Sequence, residues 1–170
     1  MMNQKENEPC CREGKRVEDS LTVQVQVVQQ QDINGYKRLF GGQLMAWMDI
    51  VAGVVGRRHS GRQVTTAVVD ELQFLAPAFI DDIIIITGRV THVGRTSIEV
   101  RVDVAVEVDS HNRRPINRAY FVLVGIDEKG KPAEVPSLIL ETEEERLEWA
   151  QAEKRKSYRQ KKRAEEKTEG

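Results

Sequence analysis

The stretch Gln43-Leu-Met-Ala-Trp-Met-Asp-Ile-Val-Ala-Gly-Val-Val55 decides how the rest of the chain must fold. Its first half is rich in helix formers, and Gly53 is the only turn residue that interrupts it. A helix here is apolar on nearly every face, so it has to be covered by the rest of the molecule. The basic cluster Arg57, Arg58, His59 followed by Gly61 closes it, with cations near the last carbonyls and a glycine just beyond. The expectation is a buried central helix, and the flanking segments must supply its cover.

Downstream of Gly61, residues Val64 to Phe74, Asp82 to Val93, Ser97 to Val108 and Ile116 to Ile126 read as strands. In the third, Ile98, Val100, Val102, Val104, Val106 and Val108 alternate with Ser97, Glu99, Arg101, Asp103 and Glu107, the period of two that predicts an antiparallel sheet with one solvated face. Ile83 to Ile86 is an uninterrupted apolar run, expected of a strand covered on both sides. Upstream, Leu21, Val23, Val25 and Val27 alternate with Thr22, Gln24 and Gln26, which predicts a further strand with its apolar face buried. The connections Ala76-Pro-Ala-Phe-Ile-Asp-Asp82, Val93-Gly-Arg-Thr96 and Ser110-His-Asn-Arg-Arg-Pro115 are short, so successive strands are expected to be neighbours. One strand, a helix and four long strands give an α+β fold, a curved antiparallel sheet wrapped around the central helix.

The ends differ in character. Residues 1–19 are polar and are expected to form a disordered tail, in which Cys10 and Cys11 are free reduced thiols with no second pair at metal-ligand spacing. The folded domain is expected over 20–136, with a linker and a charged C-terminal helix over 137–170. Thr142 and Glu145 have capping-box spacing, and the acidic start and basic continuation of that segment suit the helix dipole. Leu147, Trp149, Ala150 and Tyr158 make only a weak apolar stripe, so docking of its first half and fraying of its second are expected.

With 26 Lys and Arg against 27 Asp and Glu among 170 residues, no net field points to nucleic acid or to an anionic membrane surface. The most apolar stretch, Leu44 to Val55, is broken by Asp49 and too short to span a bilayer, and no apolar leader follows the first charges. A cytoplasmic protein without a metal is the expectation.

Three features carry chemistry. Asp49 is an ionisable group within the most apolar helix, where burial is costly unless hydrogen bonds or charges compensate; it serves either packing specificity or function. Asn34-Gly35 is, on residue types alone, a turn. Gly41-Gly42 at the helix start fits a tight corner equally well as a set of free amides donating to a developing oxyanion. Asp70, on an otherwise apolar strand face, reads as a satisfied structural carboxylate.

The segment Asp32-Ile-Asn-Gly-Tyr-Lys-Arg-Leu-Phe-Gly-Gly-Gln-Leu-Met-Ala-Trp-Met-Asp49 continues through Ala52-Gly-Val-Val-Gly-Arg-Arg-His59 to Val64-Thr-Thr-Ala-Val-Val-Asp-Glu-Leu-Gln-Phe74. Together these resemble the signature of the cytosolic acyl-CoA hydrolase branch of the hotdog thioesterases. Val135-Pro-Ser-Leu-Ile-Leu-Glu-Thr-Glu-Glu-Glu-Arg146 is similar to the stretch those proteins place before a C-terminal helix, and the resemblance covers roughly residues 20–160. It implies a hotdog fold and hydrolysis of acyl-CoA to fatty acid and coenzyme A, with no cofactor because coenzyme A is part of the substrate. It puts Asp49 at the catalytic acid position as general base or nucleophile, Asn34 at the second catalytic position, and the Gly42 amide at the oxyanion. Gly41 lies beside them, and the turn Gly94, Arg95, Thr96, Ser97 resembles one that contacts coenzyme A. The family's catalytic pair comes from different subunits of a homodimer, and dimers assemble into homohexamers as trimers of dimers.

Coenzyme A phosphates must be met by a local cluster in a chain of net charge −1, for which Arg57, Arg58, His59, Arg62 and Arg95 are the candidates. Departures from the wider hotdog pattern narrow the chemistry. No His stands beside Asn34 or at the helix start, and His59, His92 and His111 are misplaced for dehydration. No Gly-X-Ser-X-Gly elbow supports a serine esterase. The rival reading is an acyl-CoA-binding sensor that does not hydrolyse; its polar first twenty residues have no room for a DNA-binding output domain, and thiol release from acyl-CoA separates the two.

Overall fold

The computed structural model describes residues 13–168. In chain order these form β1 (Lys15–Arg16), β2 (Thr22–Val27), a 3₁₀ turn (Gln30–Asp32), α1 (Gly41–Ser60), β3 (Gln63–Phe74), β4 (Ile83–Val93), β5 (Ser97–Glu107), β6 (Arg113–Ile126), β7 (Leu138–Ile139) and α2 (Glu143–Thr168). Gly61, at φ 65°, ends α1 by donating its N–H to the Arg57 carbonyl at 2.9 Å, a left-handed position that costs a glycine nothing. Cys10 and Cys11 lie outside the described residues. No helix among the described residues is long and apolar enough to cross a membrane.

The five long strands pair antiparallel in the order β2-β4-β5-β6-β3 and curve over α1. Leu44, Trp47, Met48, Val51 and Val55 of the helix pack into Ile84, Ile86 and Val90 of β4, Ile98, Val100 and Val102 of β5, and Phe121 and Leu123 of β6. At the closest approach a Cβ on Gly88 would lie 2.7 Å from Val51 and 2.9 Å from Val55, so the helix can seat here only against bare backbone. The expected curved sheet on a central helix is present, with strand limits within a few residues of those expected.

Several expectations need correction. β3 and β4 are not neighbours: β3 lies at the far edge, paired to β6, and 75–82 is a crossover, anchored by Leu75 N–H on Ile116 O and Leu39 N–H on Ala78 O. The period of β2 is right but its buried face is inverted, with Val25 58% exposed and Thr22 buried. The cause is register. Gln24 and Gln26 stand opposite Ile86 and Ile84, which β4 commits to the core, and residues directly opposite share a face. The tail expected over 1–19 is held from Lys15 onward, where β1 pairs parallel with β7 and Val17 is buried.

The outer face of β5 is solvated only in part. Glu99, 2% exposed, accepts from Thr91 Oγ1 at 2.8 Å, Arg155 Nη2 at 2.8 Å and Arg159 Nη1 at 3.1 Å, so α2 docks on this strand through ions. Arg155 also lies 3.6 Å above the Tyr120 ring, and Trp149 packs on His92, whose Nε2 meets Glu153. Of the apolar stripe expected to dock, Trp149 packs on the sheet, while Leu147, Ala150 and Tyr158 are exposed and Ala152 is buried in their place. Nor does the second half fray, since α2 is helical to Thr168 with Arg159 gripping both Asp70 and Glu99. The capping box forms as expected, with Glu145 N–H on Thr142 Oγ1 at 3.2 Å and Thr142 N–H on Glu145 Oε2 at 3.1 Å.

Removing the Glu99 carboxylate strands the Arg155 guanidinium against the sheet and leaves Arg159 with Asp70 alone. Glu99→Ala is expected to cost about 3–5 kcal/mol, measured as a fall in the urea midpoint followed by tryptophan fluorescence; an unchanged midpoint refutes the ionic docking of α2.

Candidate active site

The loop before α1 is fixed by short polar contacts. Buried Asp32 accepts from Gln29 N–H at 2.9 Å through its carboxylate and from Phe40 N–H at 2.8 Å through its carbonyl, which clamps both ends of the loop. Between them Asn34 Oδ1 accepts from the N–H groups of Tyr36 at 2.9 Å and Arg38 at 3.2 Å, and Lys37 takes φ 59°. Asn34 therefore builds the turn its residue type suggested. Its oxygen is used by that turn, and its amide nitrogen has no partner among the described residues. Asn34, Arg38, Gly41, Leu44 and Phe74 line an open cavity of about 320 Å³.

Gly41 and Gly42 open α1. The first intrahelical bond is Leu44 N–H to Phe40 O at 3.1 Å, and Phe40 gives no side-chain cap. The amides of Gly41, Gly42 and Gln43 thus lack helical acceptors and sit at the positive end of the dipole. A Cβ on Gly42 would meet the Phe40 ring at 2.5 Å, so a side chain there would crowd the approach to these donors.

Asp49 is not buried as its helix suggested. The sheet covers only one side of α1, and Asp49 lies on the other with Met45 and Ile50, the latter 56% exposed. Its Oδ1 accepts from Thr66 Oγ1 at 2.6 Å. Thr66 sits at a register break in β3, where the ladder shifts between Thr66 and Val68 and re-aims the strand. Sequence reasoning missed Thr66, because a β-branched residue in a strand looks ordinary; its only signal was its place within the run that resembles the hydrolase signature. Asp49 is seven residues beyond Gly42, roughly 10 Å along the axis, and it does not line the cavity shared by Asn34 and Gly41.

The basic candidates lie near the other end of α1 and divide among themselves. His59 is fully buried with Nε2 on Pro136 O at 3.0 Å, so it cannot reach a ligand, and burial lowers its pKa below the usual histidine range despite that bond. Arg58 is likewise occupied, donating to Leu21 O at 3.1 Å and Thr22 Oγ1 at 3.0 Å, which ties α1 to β2. The Arg62 Nε is buried without a partner among the described residues. Exposed Arg57 and Arg95 have no acid partner among those residues. Gly94 makes the β4–β5 turn tight, its N–H on Ser97 O at 2.8 Å, where a Cβ would strike Ser97 Oγ at 2.6 Å. Thr96 and Ser97 line a cavity of about 460 Å³ under the basic end of α2. Asp70 is satisfied, accepting from Arg159 at 2.6 Å. No group of three or more potential metal ligands occurs among the described residues.

With this geometry in hand, likeness to known proteins is informative. Residues 36–110 match the model of the thioesterase superfamily. An acyl-CoA thioester hydrolase of Bacillus subtilis is 35% identical over 136 residues, 79% of this chain and 76% of that protein. The cytosolic acyl coenzyme A thioester hydrolase of Rattus norvegicus is also 35% identical over 79% of this chain, which spans only 36% of that longer protein. Among solved structures, an apo-hexameric acyl-CoA thioesterase superposes with TM-score 0.84 at 35% identity, covering 89% of this chain and 97% of that one. An acyl-CoA hydrolase of Staphylococcus aureus, solved with butyryl coenzyme A, coenzyme A and coenzyme A disulfide, gives TM-score 0.84 at 32% identity over 91% of this chain and 94% of that one. That hydrolase has also been solved with an Asn, an Asp and a Thr each replaced by alanine.

Burial also lowers the His92 pKa, against the pull of Glu153, so both buried histidines resist protonation. The unfolded chain, with histidines near about 6.5, takes up these protons first. Stability is thus fully present above that pH and declines as pH falls through it. Denaturation midpoints between about pH 7.5 and 5.5 should fall with pH in the native protein. In His59→Gln, whose amide can still donate to Pro136 O, the slope should flatten but not vanish; an unchanged slope refutes the assignment.

Proposed function

This chain belongs to the acyl-CoA thioester hydrolases of the thioesterase superfamily, and on that premise we propose that it cleaves acyl-CoA to fatty acid and coenzyme A at sites shared between two copies. The observation that carries this reading is the Asp49 carboxylate, set on the uncovered side of an otherwise apolar helix with Thr66 on one oxygen at 2.6 Å. The hydroxyl fixes Oδ1 and leaves Oδ2 to act. The Asn, Asp and Thr replaced in the Staphylococcus aureus hydrolase occur in the same order as Asn34, Asp49 and Thr66, the last two likewise 17 positions apart.

In the proposed reaction Asp49 removes a proton from water as the water oxygen attacks the thioester carbon. The Gly42 N–H at the helix start receives the developing oxyanion, and the free Asn34 amide orients the thioester or the water. Collapse breaks the C–S bond, and the proton held by Asp49 passes to the departing coenzyme A thiolate. Direct attack by Asp49 would form an anhydride that water then opens, and it depends on the same carboxylate. Neither route uses a cofactor. Exposed Arg57 and Arg95, with Gly94, Thr96 and Ser97, are proposed to meet the phosphates of coenzyme A; His59 and Arg58 are occupied within the fold and leave that role.

Two copies supply one site. β3 is a free edge whose unpaired backbone groups call for a partner. A two-fold axis there runs the chains in opposite directions, which turns the Asn34 and Gly42 end of one copy towards Asp49 and Thr66 of the other. We further propose assembly of such dimers to a homohexamer, as in the solved hexameric relative, and a cytoplasmic location matching the name of the rat relative.

Asp49→Asn is nearly isosteric and should lower kcat for thiol release by about 10²–10⁴-fold with fold and assembly intact. Near-native turnover by that variant would sink the catalytic role.

A sharper outcome separates shared from single-chain sites. Inactive Asn34→Ala and Asp49→Asn chains, mixed after dissociation, form heterodimers with one intact site and one doubly damaged site. Activity should return to about half the native value per dimer; verified heterodimers with no recovery would place each site within one chain.

A further inference from the structure

We infer that the basic end of α2 closes one side of a phosphate-binding cavity, in which Lys162 and Arg163 hold the phosphorylated end of coenzyme A against the hydroxyls of Thr96 and Ser97. The inference rests on the hydrolase reading above and deepens it by naming a substrate-binding element outside the reaction centre. α2 lies beyond residues 36–110, the part of the chain that matches the thioesterase superfamily. Between α2 and the sheet is a hollow of about 460 Å³, walled by Ala67 and Val68 of β3, by Thr96 and Ser97 where β4 turns into β5, and by Lys162 and Arg163.

Helical spacing divides the charges of α2 between two faces. Lys156, Arg159 and Arg163 recur at i, i+3 and i+7 and line this hollow, whereas Lys154, Tyr158 and Lys161 share the outer face. Arg159 is spent on the two acids of the wall, meeting Asp70 at 2.6 Å and Glu99 at 3.1 Å, and Lys156 lies 3.8 Å from Glu153. Lys162 and Arg163 come one turn later. They are exposed and have no acidic partner among the described residues, and Glu166 is the one remaining acid of the lining. The hydroxyls of Thr96 and Ser97 likewise have no hydrogen-bond partner among those residues. Cations near a helix C-terminus need no ligand to explain them. A hollow that sets two free cations beside two free hydroxyls does.

Position and chemistry together choose the ligand. Ala67 and Val68 directly follow Thr66, whose hydroxyl holds the Asp49 carboxylate at 2.6 Å, so the hollow begins one residue along β3 from the proposed reaction centre. An acyl-CoA carries its phosphates at the end remote from the thioester, and in a chain of net charge −1 a local excess of cations has to hold them. Phosphate oxygens accept from an ammonium, a guanidinium and hydroxyls alike, which are the donors this wall leaves unused. A nucleic acid strand would need a continuous basic track, which Glu165 and Glu166 interrupt.

The test compares thiol release from butyryl-CoA and from S-butyryl-pantetheine, which has the same thioester and arm but no phosphate. In the full chain carrying Lys162→Gln/Arg163→Gln, KM for butyryl-CoA should rise about tenfold with kcat within about twofold, while KM for the pantetheine ester stays within about twofold. An equal rise for both esters, or a rise for neither, overturns the proposal. Lys154→Gln/Lys161→Gln removes the same charge from the outer face of α2 and should leave both KM values in place. A rise matching that of the inner pair overturns the cavity in favour of attraction by the helix as a whole. All four positions are exposed, so denaturation midpoints should match the native protein. Wild type that releases thiol from neither ester overturns the hydrolase reading by itself, and calorimetric binding of coenzyme A then decides the cavity. Binding about tenfold weaker in the inner pair supports it; equal binding, or none by the wild type, overturns it.

Discussion

A five-stranded sheet is too narrow to close around a helix, and the rest of this structure follows from that constraint. Strands spaced about 4.8 Å apart span roughly 24 Å. A full wrap at about 10 Å from the helix axis needs roughly 60 Å. One side of α1 is therefore packed to full burial, with Met48, Val51 and Val55 against β4, β5 and β6, and the other stays open. Gly88 tightens the packed side by letting the helix approach bare backbone. The same narrowness leaves two free edges, β2 and β3.

The open side explains how a carboxylate can sit in so apolar a helix. Asp49 escapes the cost of burial in the single chain because it faces away from the sheet, and its one strong contact, Thr66, comes from the edge strand at a bulge. At the start of α1, Asn34 spends its oxygen on its own turn and the glycine amides have no acceptor within the helix. Donors at one end of the helix and an acceptor two turns along it are complementary groups held apart by the rigidity of the helix itself. On the proposed reading, a two-fold axis at β3 is the simple geometry that would reunite them.

The convex face answers a different problem. A single open sheet with one polar side would be marginal, and α2 stabilises it by carrying Arg155 and Arg159 onto the buried Glu99. Ionic docking of this kind needs every charge to be met, which is why Asp70, Thr91 and Tyr120 all contribute partners. The helix leaves Val23, Val25 and Val27 of β2 and Ile83 of β4 exposed.

Local pattern was enough for the elements, and resemblance to the hotdog thioesterases for the nature of the chemistry. The all-apolar run from Gln43 set a central helix, strict alternation in Ser97 to Glu107 set a sheet with its valines inward, and Thr142 with Glu145 set the start of α2. The Asn34 and Asp49 signature pointed to a thioester hydrolase before any fold was known. Periodicity has a phase only relative to a neighbour, so it could not say that β2 would turn its valines outward; that was decided by pairing with β4. Nor could it say that β3 would leave β4 for the far edge, that His59 would be enclosed beneath Pro136, or that Thr66 would find Asp49. These depend on contacts between residues distant along the chain, which side-chain periodicity does not encode and only the packed tertiary structure brings together.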